Sequence, residues 1–241
     1  MCIRDRIGAD GLWSRLRTRF GDSETPRFAG RSAFRAMVPA AQLPPQFSEP
    51  VINLWLGSNG HVVHYPIRAG AAVNIVAVAA ARWQSPAWST GVDRDEVLRR
   101  FPSPAWTPAA REVLTAPRHW QKWALYDRPP ATTWGRGPVT LLGDAAHPML
   151  PFMAQGAAMA IEDAAVLARE LARAPDDRAA GLRNYEAARV ARTARAQREA
   201  RRNDFRYHLS WPAAQVRNAV LRTLGGERLL AQYDWLYGWR A

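Results

Sequence analysis

A single cysteine, Cys2, occurs in 241 residues. The chain therefore builds neither an intramolecular disulfide nor a cysteine-rich zinc cluster, and its body offers no cysteine nucleophile. Redox chemistry, if the protein performs any, must come from a cofactor. No run approaches the ~18 consecutive uncharged apolar residues of a membrane span, and the N-terminus lacks the long apolar region of a signal peptide. A cytoplasmic protein with no membrane partner is the expectation. Internal repeats and low-complexity linkers are missing as well. Acidic residues are scarce, 21 against 33 Lys and Arg, which gives a formal net charge of +12.

That surplus raises a nucleic-acid-binding or scaffold function as one reading. Its distribution argues against it. Arg183, Arg189, Arg192, Arg195, Arg198, Arg201 and Arg202 crowd one alanine-rich segment, where arginine is a good helix former and a solvated basic face is the simplest expectation. No nucleic-acid module accompanies the charge, so no nucleic-acid partner is expected. With 48% apolar and 22% charged residues the chain belongs to the globular class, long enough for one large domain or two small ones.

Ile7 to Phe20 reads as a strand end, a turn at Asp10-Gly11 and a short helix beginning near Leu12 or Ser14. Ser32 to Val38, Val51 to Leu56, His61 to Ile67 and Ala72 to Ala79 are short β-rich runs between Pro, Gly and Asn signals, which predicts an antiparallel sheet. Asn59-Gly60 supplies the positive φ angles of a tight hairpin between the second and third runs. Helices are expected at Asp93 to Phe101, Pro108 to Leu114, Gln155 to Arg173 and Asn184 to Asn203, and the tail through Trp211, Leu224, Leu230, Trp235 and Trp239 reads as helical and packed. Pro138 to Leu142 is a compact apolar run that feeds Gly143-Asp144 and the following helix, an α/β unit.

The most informative segment is VTLLGDAAHPMLPFMAQGAAMAIEDAAVL, from Val139 to Leu167. A buried strand ends at Gly143, whose missing side chain lets a ligand approach the backbone, and Asp144 can accept hydrogen bonds from sugar hydroxyls. Pro148 and Pro151 stiffen the loop. Gln155, Gly156, Ala157 and Ala158 open a helix without bulky side chains, so free N–H groups and the positive dipole end can face an anionic or electron-rich ligand such as the edge of a reduced flavin.

This segment resembles the second FAD-binding motif of the group A flavoprotein aromatic hydroxylases, with Gly, Asp, His-Pro, Gln-Gly and Glu-Asp all in place. IGADGLWSRLR is similar to the same family's Asp-Gly motif at Gly8, Asp10, Gly11, Ser14 and Arg17. The resemblance implies an α/β (α+β overall) fold: a partial Rossmann-like FAD-binding domain, an inserted antiparallel β-sheet substrate domain and C-terminal helices. It implies that Asp10, Gly11 and Arg17 lie near the FAD pyrophosphate, that Asp144 binds its ribityl or ribose hydroxyls beside Gly143, that Pro148 lies by the isoalloxazine, and that Gln155 to Ala158 contact its pyrimidine edge. The implied domain limits are 7–27 and 136–175 for FAD binding, 28–135 for substrate and 176–241 for the C-terminal helices.

The reaction implied is hydroxylation of a small phenolic, sometimes carboxylated, aromatic with NAD(P)H and O2 through a flavin C4a-hydroperoxide; a flavin-dependent epoxidase on the same fold stays open, as does a homodimer. His61, Val63 and Tyr65 alternate onto one strand face, and His61 with Tyr65 resembles a His and Tyr pair, four residues apart, that faces phenolic substrates in this family. His61, Tyr65 and Pro148 are the residues assigned to chemistry. Proline at Pro151, where a relative has a substrate-facing glutamine, sets that relative's own activity apart. Arg35 is a candidate partner for a carboxylate, whereas Trp55, Trp83, Trp120, Trp123 and Trp134 read as core or interface. The family's Gly-x-Gly-x-x-Gly βαβ unit does not occur in the sequence. The expectation is therefore that the chain begins inside the FAD domain at Ile7, behind six residues, Met1 to Arg6, that a sequencing adapter can encode, and that on its own it neither binds FAD tightly nor turns over.

Overall fold

The computed structural model describes residues 6–20, 24–83, 87–102 and 105–240. Of the expected adapter-encoded segment only Arg6 falls among them. In chain order the elements are β1 (Arg6–Gly8), α1 (Arg15–Thr18), β2 (Arg27–Pro39), β3 (Asn53–Gly57), β4 (Gly60–Ile67), β5 (Ala72–Ala80), β6 (Ser89–Asp93), α2 (Arg94–Leu98) and α3 (Pro108–Thr115). There follow β7 (His119–Asp127), β8 (Val139–Leu141), α4 (Gly156–Arg173), α5 (Arg178–Tyr207), α6 (Ala213–Ala231) and α7 (Asp234–Tyr237). Among the described residues no helix is long and apolar enough to cross a membrane.

The chain divides into two compact units, one of residues 1–27, 126–204 and 224–241, the other of residues 28–125 and 205–223. Trp134 and Arg128 pack within the first unit, and Tyr207 and His208 within the second.

In the second unit a six-stranded sheet has the order β3-β4-β5-β2-β7-β6, and β3/β4, β4/β5, β2/β5 and β6/β7 are antiparallel. The β3/β4 hairpin turns at Asn59 with φ 64°, a left-handed angle that Asn tolerates better than most residues. Strand alternation splits the residues between two faces. Phe34, Val62, Ile75 and Ala77 meet Val97, Phe101, Leu114 and Trp120 in a fully buried core, each large side chain there contributing about 1.5–3 kcal/mol. His61, Val63 and Tyr65, with register partners Val78, Val76 and Asn74, turn to the other face. Strands β6 and β7 escape the sequence reading, because Gly91 and a short polar run dilute one pattern, while Trp120 and Trp123, three positions apart, break the alternation of the other.

In the first unit β1 and β8 pair in parallel, Arg6 with Val139, Ile7 with Thr140 and Gly8 with Leu141. Gly8 is required by packing: a Cβ there would meet Leu16 Cδ2 at 2.5 Å and Leu141 Cδ2 at 2.9 Å. Trp134, Leu141, Val166, Leu182 and Tyr185 form the core under α4 and α5.

The arginine-rich helix α5 keeps Arg195, Arg198 and Arg202 on an exposed face, as expected, but turns other arginines inward. Arg189 is fully buried, donates through Nε to Asp163 at 2.7 Å and forms an ion pair with Glu162, Nη1 to Oε2 2.7 Å. Arg192 grips Glu162 with two bonds of 2.7 Å, and Arg201 pairs with Asp127. A charge run that looks solvated in sequence thus becomes the glue between helices, since α4 and the residues around 127 bring acids to it. The tail is only partly packed: Trp235 and Trp239 lie under the guanidinium groups of Arg195 and Arg192, whereas Trp211 and Leu230 are exposed.

Candidate functional site

At the carboxyl ends of the two parallel strands the two motifs meet, the place where open α/β sheets bind ligands. After β1 the chain turns through Gly11 at φ 74°, a conformation that favours glycine. Asp10 Oδ2 accepts the N–H groups of Arg15 at 2.9 Å and Leu16 at 3.4 Å, and Ser14 Oγ caps α1 through the N–H of Arg17 at 3.0 Å. Burial pushes the Asp10 carboxyl up, but the bonds from Ser14, Leu16 and Arg15 outweigh it and hold the pKa below the ordinary value. An open hollow of about 500 Å³, walled by Arg6, Gly8, Asp10, Arg15 and Arg19, lies beside this turn.

Arg17 is 2% exposed, and its guanidinium points into protein. It donates to the carbonyls of Ala146 at 2.9 Å, Ala145 at 3.5 Å and Pro129 at 3.2 Å. The first turn is thereby stitched to the second. Arg128, also buried, reaches the carbonyls of Leu12 and Glu24 from the other side.

After β8, Gly143 adopts φ 61°, and a Cβ on it would press Ala160 Cβ at 3.3 Å. Asp144 is exposed; the protein around it desolvates the carboxyl and raises its pKa, an effect that His147 partly offsets. Beneath the turn sits Asp163 on α4, fully buried. Its carboxylate accepts the N–H of Gly143 at 3.0 Å, His147 Nε2 at 2.5 Å and Arg189 Nε at 2.7 Å. An ionised carboxylate can only accept, so His147 carries a proton on Nε2. Desolvation raises the Asp163 pKa, but the bonds and charges of His147 and Arg189 dominate and leave it lowered.

Pro148 is buried, and its carbonyl accepts Gln197 Nε2 at 2.6 Å. Ala154 takes a left-handed conformation with φ 51° just before α4. Gln155 makes no side-chain cap, and the first turn of the 18-residue α4 contains no acid. The N–H groups of Gly156, Ala157 and Ala158 therefore form an uncapped positive helix end. A Cβ on Gly156 would lie 3.9 Å from Asp144 Oδ1, so helix end and carboxylate share one rim. An exposed carboxylate for polyol hydroxyls beside an uncapped helix end for an anionic ring edge fits the flavin half of FAD.

In the second unit the sheet rise of ~3.3 Å per residue sets the Cα atoms of His61 and Tyr65 about 13 Å apart along β4. They share a face without being neighbours, and the phenol beside the His61 ring is that of Tyr207, with centroids 5.4 Å apart. His61 is 3% exposed, and its Nδ1 lies 2.8 Å from Nε2 of His208. His64, on the opposite face, stacks on Trp55 at 4.7 Å and accepts Asn53 Nδ2 at 3.2 Å; burial lowers its pKa. A cavity of about 640 Å³ opens on the His61 face, lined by Arg35, Met37, Asn74, Gln121 and Trp123. His119, at its rim, pairs with Asp93 at 3.5 Å.

Sequence reasoning missed Asp163, Arg189, Gln197 and His208. The Glu162-Asp163 pair stood in the motif as a sequence match, and only the fold shows that its aspartate carries the glycine turn.

A family model described as "FAD binding domain" matches residues 6–200. The chain is 40% identical over 233 residues to 3-hydroxybenzoate 6-hydroxylase 1 of Aquipseudomonas alcaligenes, covering 96% of this chain and 58% of that enzyme. A salicylate hydroxylase substrate complex superposes with a TM-score of 0.85 at 28% identity, covering 98% of this chain and 62% of the other. Klebsiella pneumoniae HpxO, solved with FAD and uric acid, has a TM-score of 0.77 at 27% identity, with coverage of 94% and 57%. The chain thus spans somewhat over half the length of the relatives it matches. With motif, fold and relatives in agreement, the chain belongs to the FAD-binding-domain family of group A flavoprotein aromatic monooxygenases, whose cofactor is FAD.

Proposed function

We propose that this chain forms the flavin-holding and substrate-facing parts of a monooxygenase that hydroxylates a small phenolic, carboxylated aromatic with NAD(P)H and O2. The observation that carries the reading is the union of the two turns at the ends of β1 and β8, joined by Arg17 and undergirded by Asp163. The first unit is the FAD-binding part and the second the substrate part. Arg189, Arg192 and Arg201 of α5 are engaged with acids, which weighs against a nucleic-acid scaffold.

When bound, FAD supplies the two-electron redox chemistry and oxygen activation that no side chain here offers. The protein supplies the rest. Asp144 accepts hydrogen bonds from the polyol hydroxyls, while the N–H groups of Gly156, Ala157 and Ala158 meet the electron-rich pyrimidine edge. Asp10 and Gly11 shape the neighbouring turn for the pyrophosphate, and Arg17 acts by holding that turn to Ala146 rather than by touching the ligand. Gln197 fixes the carbonyl of Pro148, and thus the wall on which the ring system rests.

His61 takes the proton of the substrate phenol, which makes the ring more nucleophilic at the carbon to be hydroxylated. Val63 lies between His61 and Tyr65 on the same strand face. Arg35, in the row of Val63 and Val76, offers its cation to a carboxylate. The test is substrate-stimulated NAD(P)H oxidation, with 3-hydroxybenzoate and salicylate, by an FAD-loaded protein that joins this chain to the Gly-x-Gly-x-x-Gly unit of a relative. His61→Gln should lower kcat by about 10²-fold or more, and unchanged turnover would refute the assignment of the base.

A further inference from the structure

We propose that the cavity between β5, β2, β7 and β6 is a binding site for an aromatic monocarboxylate, and that Asn74 is its specificity-determining residue: the Asn74 amide donates to one carboxylate oxygen while Arg35 donates to the other. The proposal rests on the reading of the second unit as the substrate part and deepens it.

The site lies wholly within that unit. Asn74 of β5 stands opposite Met37 of β2 and Tyr65 of β4, and Arg35 stands opposite Val76. Arg35 and Asn74 are therefore diagonal neighbours on one sheet face, with Cα atoms about 7–8 Å apart, a spacing from which two such side chains reach a common group. Gln121 and Trp123 of β7, with Gly91 and Asp93 of β6, complete walls that enclose about 640 Å³.

Asn74 is 6% exposed, and its Nδ2 is buried without a hydrogen-bond partner. Buried amides are normally paired, and an unpaired donor keeps its desolvation cost until an acceptor arrives. Arg35 is exposed and, among the described residues, enters no ion pair or hydrogen bond. The acid of the cavity, Asp93, faces His119 at 3.5 Å. Two donors thus border one space with no acceptor spent on either. A carboxylate supplies two oxygens and makes both bonds charge-assisted, whereas a neutral carboxamide has one acceptor oxygen and no charge. For the ring, Met37 and Trp123 offer apolar surface, and Trp88 packs edge-on against the Trp123 indole with centroids 4.8 Å apart.

The test titrates the isotopically labelled chain with 3-hydroxybenzoate and with its neutral counterpart 3-hydroxybenzamide, reading the side-chain amides of Asn74 and Gln121 and the indole N–H of Trp123. The benzoate should shift all three saturably, and the benzamide should bind about tenfold more weakly. Asn74→Leu, which removes an unpaired buried amide, and Arg35→Gln should each weaken benzoate binding about tenfold. Asn74→Asp should reverse the preference, because its carboxylate repels the benzoate and accepts the benzamide N–H. Unaltered benzoate binding in Asn74→Leu, equal affinity for the two ligands, or no saturable shift at these side chains overturns the proposal. If Asn74→Leu does not fold, Asn74→Asp decides: a retained preference for benzoate overturns it equally. In the FAD-loaded hybrid with a relative's Gly-x-Gly-x-x-Gly unit, Asn74→Leu should raise the KM for 3-hydroxybenzoate about tenfold with little change in kcat. Turnover of 3-hydroxybenzoate by the hybrid beside a chain that shows no such site would overturn the proposal alone; a site that binds as expected beside a KM indifferent to Asn74 would instead refute the reading of the second unit as the substrate part.

Discussion

Arg17 donates through Nη1 to the carbonyl of Ala146 at 2.9 Å, joining turns that lie 129 positions apart in the sequence. The guanidinium is spent on three backbone carbonyls around both turns, a fork that a single ammonium cannot reproduce. Arg17→Lys should therefore behave much like Arg17→Ala. Each should cost about 1.5–3 kcal/mol of stability, the scale of a buried hydrogen bond to a charged group, measured by urea unfolding. A fully stable lysine variant would show that the carbonyl fork is dispensable.

Asp163 accepts from Gly143, His147 and Arg189 in a fully buried setting. Asp163→Asn keeps the shape but removes the buried charge that faces Arg189 Nε and leaves Arg189 with Glu162 alone, a loss of about 3 kcal/mol. The folded carboxyl has a lowered pKa, so its stabilisation is present above the unfolded value of 3.8 and disappears as pH falls through the folded value. In the asparagine variant this acid-linked loss should be absent. Denaturant titrations at several acidic pH values check both the size and the slope.

His64 has a pKa lowered by burial between Trp55 and Phe47. The unfolded state binds the proton more readily, so stability should fall as pH drops below 6.5, the unfolded value, until the folded value is passed. Replacing His64 by Gln should flatten that part of the stability curve while leaving the acid limb of Asp163 in place. Thermal unfolding between pH 5 and pH 8 separates the two.

Arg192 binds Glu162 and the carbonyls of Trp235 and Leu236 while its guanidinium covers Trp239 at 4.6 Å. Arg192→Ala should loosen the tail from residue 224 onward, accelerating limited proteolysis there and costing about 1–3 kcal/mol. Cleavage confined to other segments would argue that Leu236, buried at 4% exposure, anchors the tail unaided.

The antiparallel sheet, the hairpin at Asn59 and the long helix after Gly156 were legible because each has local punctuation: alternation, a left-handed turn residue, a small-residue helix start. The two motifs were legible for the same reason, as contiguous stretches with fixed spacing. What sequence could not show is where the charges of α5 would be spent, since the acids Glu162, Asp163 and Asp127 approach only when the chain folds. Likewise the neighbour of His61 proved to be His208, because a strand sets residues four apart too far from each other while a remote helix end can arrive beside either. Trp211 and Leu230 were expected to be packed and are exposed; apolar character alone does not say which tail residues find a partner.

The central claim is that the turn after β8 and the start of α4 hold the flavin end of FAD, with the turn after β1 beside its pyrophosphate. Titration of the isotopically labelled chain with FAD, followed through backbone amide resonances, tests it at weak as well as tight affinity. The account predicts saturable shifts at Gly11, Asp144, Gly156, Ala157 and Ala158 that vanish in Asp144→Ala while the remaining spectrum stays folded. Saturable shifts confined to residues outside these turns, or shifts at them that persist unchanged in Asp144→Ala, would contradict it.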